Sequence, residues 1–150
     1  MTTILAIDPG SSQSAWLRFD GRPGAFGITV NDVLVRALRT GGLPDVVVIE
    51  KVESYGMAVG AEVFDTVLWA GRFAEAAHRV PVVMLPRRAV KLALCGDSRA
   101  KDANIRQALI DSFGGSAAVG RKAAPGPLYG ISRDVWSALA IAVTYWMQGA

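Results

Sequence analysis

The chain has 150 residues, 51% of them hydrophobic and 19% charged, a balance that suits one compact domain with a sizeable core and excludes a disordered or acidic-tail protein. Its longest apolar stretches, such as Ala138 to Val143, fall far short of the roughly 20 residues a membrane-spanning helix requires, and Asp8 and Pro9 interrupt the N-terminal stretch before a signal peptide can form. Net charge is +3 but uneven, with 6 Lys and Arg against 9 Asp and Glu in residues 1–75 and 10 against 4 in residues 76–150; a basic half beside an acidic one suits either a polyanion held near a carboxylate site or an ordinary solvated surface.

Thr2 to Ile7 is a β-prone run stopped by Asp8-Pro9-Gly10, a turn that leaves Asp8 at the strand's exit. Alternation resumes over Ser14 to Phe19, breaks at Asp20-Gly21 and returns over Ala25 to Val30, which predicts a three-strand meander. Asn31 is expected to cap a helix with Val33, Leu34, Ala37 and Leu38 at helical spacing, ended by Gly41-Gly42. The uninterrupted apolar run Val46 to Ile49 predicts a strand covered on both faces and ending in Glu50.

Val59 to His78 has a helical pattern, with Val59, Val63, Val67, Gly71 and Ala74 on one stripe, widened by Phe64 and Leu68. Glu62, Asp65, Trp69 and Arg72 share another face, where Trp69 marks either a partner surface or a locally packed tryptophan. Pro81 to Leu85 predicts a further strand, and Pro86 opens a basic helix through Leu94. Residues 87–122 hold Arg87, Arg88, Lys91, Arg99, Lys101, Arg106, Arg121 and Lys122 against Asp97, Asp102 and Asp111. A helix is expected over Asp102 to Phe113, then a mobile loop to Gly130, then a helix from about Arg133 to Gln148 capped by Ser132. With no internal repeat or linker, residues 1–150 make one domain. A meander followed by strand–helix alternation predicts a mixed α/β sheet with helices packed against it.

Cys95 is the one cysteine and His78 the one histidine. Disulfides and multi-cysteine or multi-histidine metal sites are excluded, a reducing cytoplasm is the expected compartment, and any metal is held by oxygen, which points to magnesium or manganese. Three acids stand in unusual places: Asp8 and Glu50 at strand ends and Asp134 in the first turn of the last helix. Facing one sheet edge, they would repel unless cations lay between them, as in two-metal phosphoryl-transfer sites. Each also has a simpler reading: Asp8 shapes a turn, Glu50 is a solvated strand end, and Asp134 complements a helix dipole.

The run Ile4-Leu5-Ala6-Ile7-Asp8-Pro9-Gly10-Ser11, the strand Val48-Ile49-Glu50 and the closing Asp134-Val135-Trp136-Ser137-Ala138-Leu139-Ala140-Ile141-Ala142 resemble the RuvC-type Holliday junction resolvases. They look closer to phage or prophage members than to the housekeeping bacterial enzyme. The resemblance implies an RNase H-like fold, a mixed five-stranded sheet flanked by helices. It also implies a homodimer that incises four-way or otherwise branched DNA with Mg2+, or Mn2+ in its place, two ions per site. Asp8, Glu50 and Asp134 take the positions of family metal ligands. A further family aspartate falls at Ser137, so one ligand is weaker or replaced. The family's stacking aromatic falls at Glu53, with Tyr55 the nearest aromatic.

Lys101 lies where the family keeps a basic residue near the scissile phosphate, beside Asp102, whose other reading is a helix cap. Arg87, Arg88, Lys91, Arg99, Arg106, Arg121 and Lys122 are the candidate phosphate contacts. The two-fold symmetry of a four-way junction demands paired active sites, and the helix bearing Val63, Val67 and Trp69 is the candidate dimer surface. Two other classes compete with the nuclease: a junction-binding accessory protein of the same fold, favoured by Ser137, and the ATP-binding branch of the superfold, disfavoured by the chain's length.

Overall fold

Five strands make the central sheet of the computed structural model, which describes residues 2–149. β1 (Ile4–Asp8), β2 (Gln13–Phe19) and β3 (Pro23–Val30) form the antiparallel meander. β4 (Val46–Lys51) then lies parallel to β1, and β5 (Val82–Pro86) parallel to β4, giving the order β3-β2-β1-β4-β5. The expected mixed five-stranded sheet is present. β1 and β4 sit in its middle, where both faces are covered; their apolar residues run consecutively instead of alternating for that reason.

Alternation splits these strands between two cores. Leu5, Ile7, Val47 and Ile49 face α1 (Asn31–Thr40) and α2 (Ala61–Ala76). Ile4, Ala6, Val46 and Val48 face the other side, where α3 (Arg87–Cys95), α4 (Asp102–Ser112), α5 (Ser116–Val119) and α6 (Val135–Met147) pack. α6 is the hub of that side: Val135, Trp136 and every residue from Ala138 to Thr144 are buried, as expected of a helix that is apolar all round.

Several sequence expectations need correction. Asn31 does not cap α1; its side chain is buried and bonds to the first turn of the fold. Residues expected to form a loop before Gly130 fold into α5 and a hairpin of β6 (Gly120–Arg121) and β7 (Ala124–Pro125). Ser132 is not the cap of the last helix; Asp134 stands at that position, and its side chain makes no capping bond. Lys101, not Asp102, precedes α4 as its cap residue. On α2 the sheet-side residues are Ala70, Phe73 and Ala76, while Phe64, Val67 and Leu68 of the predicted core stripe are exposed.

Candidate active site

Ile7 pairs with Ile49 across the parallel β1–β4 ladder, so Asp8 and Glu50 are the next residues on adjacent central strands. Each lies two residues beyond a side chain of the α6-facing core, Ala6 and Val48, which sends both carboxylates to the face where α6 begins. Asp134 precedes α6 and meets them there: its charge acts on both Asp8 and Glu50. The three acids singled out in the sequence therefore share one end of the sheet.

The turn after Asp8 is held by a buried polar network. The Gly10 amide donates to Ser14 Oγ at 3.0 Å, Ser14 Oγ donates to Asn31 Oδ1 at 2.6 Å, and Asn31 Nδ2 returns a bond to the Gly10 carbonyl at 2.9 Å. Asn31 and Ser14 are 1% and 2% exposed; in such a place a missing partner costs more than a hydrogen bond contributes. A Cβ at Gly10 would run into the Gln13 carbonyl oxygen. Glycine at position 10 is thus required by backbone approach, and the network locks the exit of β1 that carries Asp8.

Crowding of like charges shows in the acidities. Burial, followed by the Glu50 and Asp134 carboxylates, pushes the Asp8 carboxyl up to about 8. Burial also pushes Glu50 above the usual carboxylate range, against the pull of Arg87 and with the help of Asp102 and Asp134. The cluster is short of positive charge. Arg87, the first residue of α3, supplies some of it: its Nη1 lies 3.5 Å from Glu50 Oε1, and its Nη2 is ion-paired with Asp102 Oδ1. Partial burial opposes the Arg87 charge, but Glu50, Asp102 and Asp8 outweigh it and hold the guanidinium more firmly protonated.

A cleft of about 360 Å³ opens over this cluster. Glu50, Arg87, Asp102, Arg106, Arg133, Asp134 and Ser137 give it polar walls, with Trp136 and Ile141 among its apolar ones. Arg106 lies over the Trp136 ring, 4.9 Å from its centroid. A second concavity shares Arg87 and adds Tyr55, Arg88, Lys91 and Ser98, with the Arg88 amide donating to Tyr55 Oη at 3.2 Å. Tyr55 and Arg133, one bordering each concavity, are the non-glycine residues with positive φ among the described residues. Such backbone strain gathers at functional sites.

Hard oxygen donors of this kind match Mg2+ or Mn2+ in donor chemistry, and a cation is what the repelling carboxylates lack. Among the described residues, however, no three acidic, histidine or cysteine side chains already stand close enough to cage an ion. Closing a cage requires side-chain movement, and Arg87 engages only Oε1 of Glu50, leaving Oε2 for an ion.

The structure gathers Asp8, Glu50, Asp134 and Ser137 at one site, with Arg87 and Arg106 in its walls. Lys101 is exposed and is not among the residues lining the cleft. Arg99 is exposed beside Asp97 at 3.9 Å, and Arg121 and Lys122 sit on the exposed β6–β7 hairpin. Val63 and Trp69 are half-buried and Val67 exposed on α2, where Trp69 packs on Phe73 and under the Arg72 guanidinium. Sequence reasoning missed the central place of Arg87 and the wall position of Arg133; both were visible only as members of a basic stretch or a helix start.

No protein-family model matches the chain, and no curated protein matches it. Solved structures do. The Thermus thermophilus RuvC structure aligns with a TM-score of 0.67 at 22% sequence identity over 98% of this chain and 96% of that one. The chain has the RuvC fold. T. thermophilus RuvC in complex with Holliday junction substrate aligns likewise, with a TM-score of 0.69 at 22% identity over 99% of this chain and 97% of that one. The likeness therefore runs end to end, and the RNase H-like architecture expected from the three short motifs holds for the whole RuvC-type fold.

Proposed function

We propose that this protein is a divalent-cation-dependent, structure-selective endonuclease that cuts four-way or otherwise branched DNA. The observation that carries the reading is the gathering of Asp8, Glu50 and Asp134 at one end of the sheet of a RuvC fold, with Glu50 and Asp134 lining the cleft there. The solved relative of that fold in complex with a Holliday junction adds the substrate class.

In this reading Asp8, Glu50 and Asp134 hold Mg2+ or Mn2+. When bound, such a cation acidifies water and offsets charge on the phosphate. Water adds to phosphorus as the bond to the 3′ oxygen breaks; that oxygen takes up a proton, and the nick carries a 3′ hydroxyl and a 5′ phosphate, which is ligatable. Arg106, braced on Trp136, and Arg133 hold backbone phosphate at the cleft. Arg88 and Lys91 extend the basic track past Tyr55, whose ring offers a face on which any base stacks. Lys101, Arg99, Arg121 and Lys122 serve the outer path of the strands, with Lys101 approaching the phosphate only once DNA is bound.

Two copies pair through α2 to place two such clefts on a two-fold junction. Phe64, Val67 and Leu68 are exposed there at 65%, 47% and 61%, and Val63 lies beside them.

The direct test is incubation of the purified protein with a labelled synthetic four-way junction and with linear duplex, in Mg2+ and in chelator. Cutting of the junction alone, and only with metal, is expected. A second reading, a junction-binding accessory protein with little cleavage, is favoured by one observation: Arg87 already engages Glu50. Tight junction binding without incision in either Mg2+ or Mn2+ would select it.

A further inference from the structure

At this end of the sheet the negative charges outnumber their partners. Asp8, Glu50, Asp102 and Asp134 all act on one another or on Arg87, and Ser137, one helical turn beyond Asp134, adds no charge. Arg87 alone among the cations of the cleft forms ion pairs with these acids; the remaining salt bridge among the described residues joins Arg99 to Asp97. Arg106 is turned onto Trp136 instead.

The position of Arg87 is dictated by the fold. Glu50 pairs with Leu85, and Lys51 with Pro86, across the parallel β4–β5 ladder. The residue after Pro86 is therefore delivered beside the end of β4, and Pro86 turns the chain into α3 at that point. The guanidinium spans two acids from different elements, Glu50 on β4 and Asp102 at the start of α4. Its side chain is 29% exposed and that of Glu50 only 15%, so water screens that pairing weakly, whereas Asp102 is 85% exposed and its pairing is screened by solvent; the Glu50 contact is the stronger hold. Only one oxygen of Glu50 is engaged: among the described residues Oε2 has no hydrogen bond, which leaves it for the site shared with Asp8 and Asp134.

We propose that Arg87 is a tethered second cation of this site: its guanidinium, fixed between Glu50 and Asp102, serves where a second divalent ion would otherwise be needed, so that each chain binds one divalent ion. The inference rests on the nuclease reading for its purpose, but its core is a statement about metal stoichiometry. A fixed guanidinium neutralises carboxylates before substrate arrives and faces phosphate with a planar array of donors, which suits it to the charge that builds up on a phosphate during cleavage. A second ion would have to bind where Asp102 is already paired and Ser137 is neutral. The proposal differs from the two ions per site that the family resemblance implies, with one ion and one arginine in their place.

Calorimetric titration of Mn2+ into the metal-free chain tests this without reference to cleavage. The wild type should bind one ion per chain. Arg87→Gln should bind two, with the first at least about tenfold tighter because a like charge has been removed. Arg87→Lys keeps the charge and should remain at one. Circular dichroism melts of both variants accompany the titration; should Arg87→Gln fail to fold, Arg87→Lys and Ser137→Asp carry the test, since Ser137→Asp restores a carboxylate and should admit a second ion even with Arg87 in place. Two ions per wild-type chain, or one ion at unchanged affinity in a folded Arg87→Gln, would overturn the proposal. Failure of the wild type to cut any branched DNA, together with a one-to-two change in stoichiometry, would remove the nuclease reading and leave Arg87 as the second cation.

Discussion

Nη1 of Arg87 stands 3.5 Å from Oε1 of Glu50, joining the start of α3 to the end of the central strand β4. This pair stands beside Asp8, whose carboxyl is pushed up to about 8 by burial and by its acidic neighbours. Both facts describe a site with surplus negative charge that one arginine only partly offsets.

That surplus makes the metal-free fold pH-sensitive. An Asp8 that titrates at about 8 in the fold and near its ordinary 3.8 when unfolded binds its proton more tightly folded. Its stabilising contribution is complete below about pH 4 and is lost as pH rises toward about 8; Glu50, also raised, acts in the same direction. The Tm of the metal-free protein should fall by several degrees between about pH 5 and pH 8, at about 2–4 °C per kcal/mol. Asp8→Asn should flatten that slope, and Mg2+ should reverse the loss at the alkaline end. A wild-type Tm flat across this range contradicts the account of the cluster.

The Ser14–Asn31–Gly10 network predicts a stability effect far from any charge. Asn31→Ala leaves the Ser14 hydroxyl without its acceptor and the Gly10 carbonyl without its side-chain donor and should cost about 1–3 kcal/mol in chemical denaturation. Asn31→Asp keeps the acceptor for Ser14 but sets a buried carboxylate against the Gly10 carbonyl, and should cost at least as much. A loss below about 0.5 kcal/mol in Asn31→Ala, the scale of an ordinary surface change, would show that the turn after Asp8 is held by other means.

Basic residues that follow DNA backbone leave a signature in salt. Neutralising Arg88 and Lys91 together should weaken junction binding and reduce the slope of log affinity against log salt by about 0.9 for each phosphate left without its cation. The same pair of changes at Arg121 and Lys122 tests whether the β6–β7 hairpin lies on the path. An unchanged slope assigns the residues another role.

For pairing through α2, Phe64→Asp and Leu68→Asp should each convert a dimer to a monomer in sedimentation at micromolar protein, with helical content unchanged because both side chains are exposed. Trp69 is a poorer probe, since it packs on Phe73 at 6.1 Å between ring centroids. A wild-type chain that sediments as a monomer with and without junction DNA rules this surface out.

What could be read from sequence follows from how local the determining physics is. β1 and β4 were legible because strands buried on both faces are apolar without interruption, and the acids at their ends mark where burial stops. Asn31 was misread because a residue before an apolar helix pattern looks the same whether its amide caps the helix or bonds to Gly10 across 21 positions. On α2 the sequence pattern puts the apolar stripe with Val67, Phe64 and Leu68 on the core side, but Ala70, Phe73 and Ala76 face inward, and which apolar side of a helix meets the sheet is set by tertiary packing. The segment before Gly130 folds where a loop was expected, with Gly114, Gly115 and Gly120 at positive φ making its tight turns. Arg87 is one of eight cations between residues 87 and 122, and only the register of β5 on β4 sets it apart.

In the proposed reading Asp8, Glu50 and Asp134 carry metal-dependent cutting of branched DNA. This assignment is tested most directly by single-turnover cleavage of a labelled four-way junction in Mg2+ by the wild type and by Glu50→Gln, with binding of the same junction measured in parallel. Glu50→Gln removes a ligand charge while keeping the side chain's shape. Cleavage should fall by about a hundredfold to a thousandfold, the scale lost when a main electrostatic element of an active site is removed, and junction affinity should stay within about threefold of wild type. Incision by Glu50→Gln at the wild-type rate would contradict the assignment of the site.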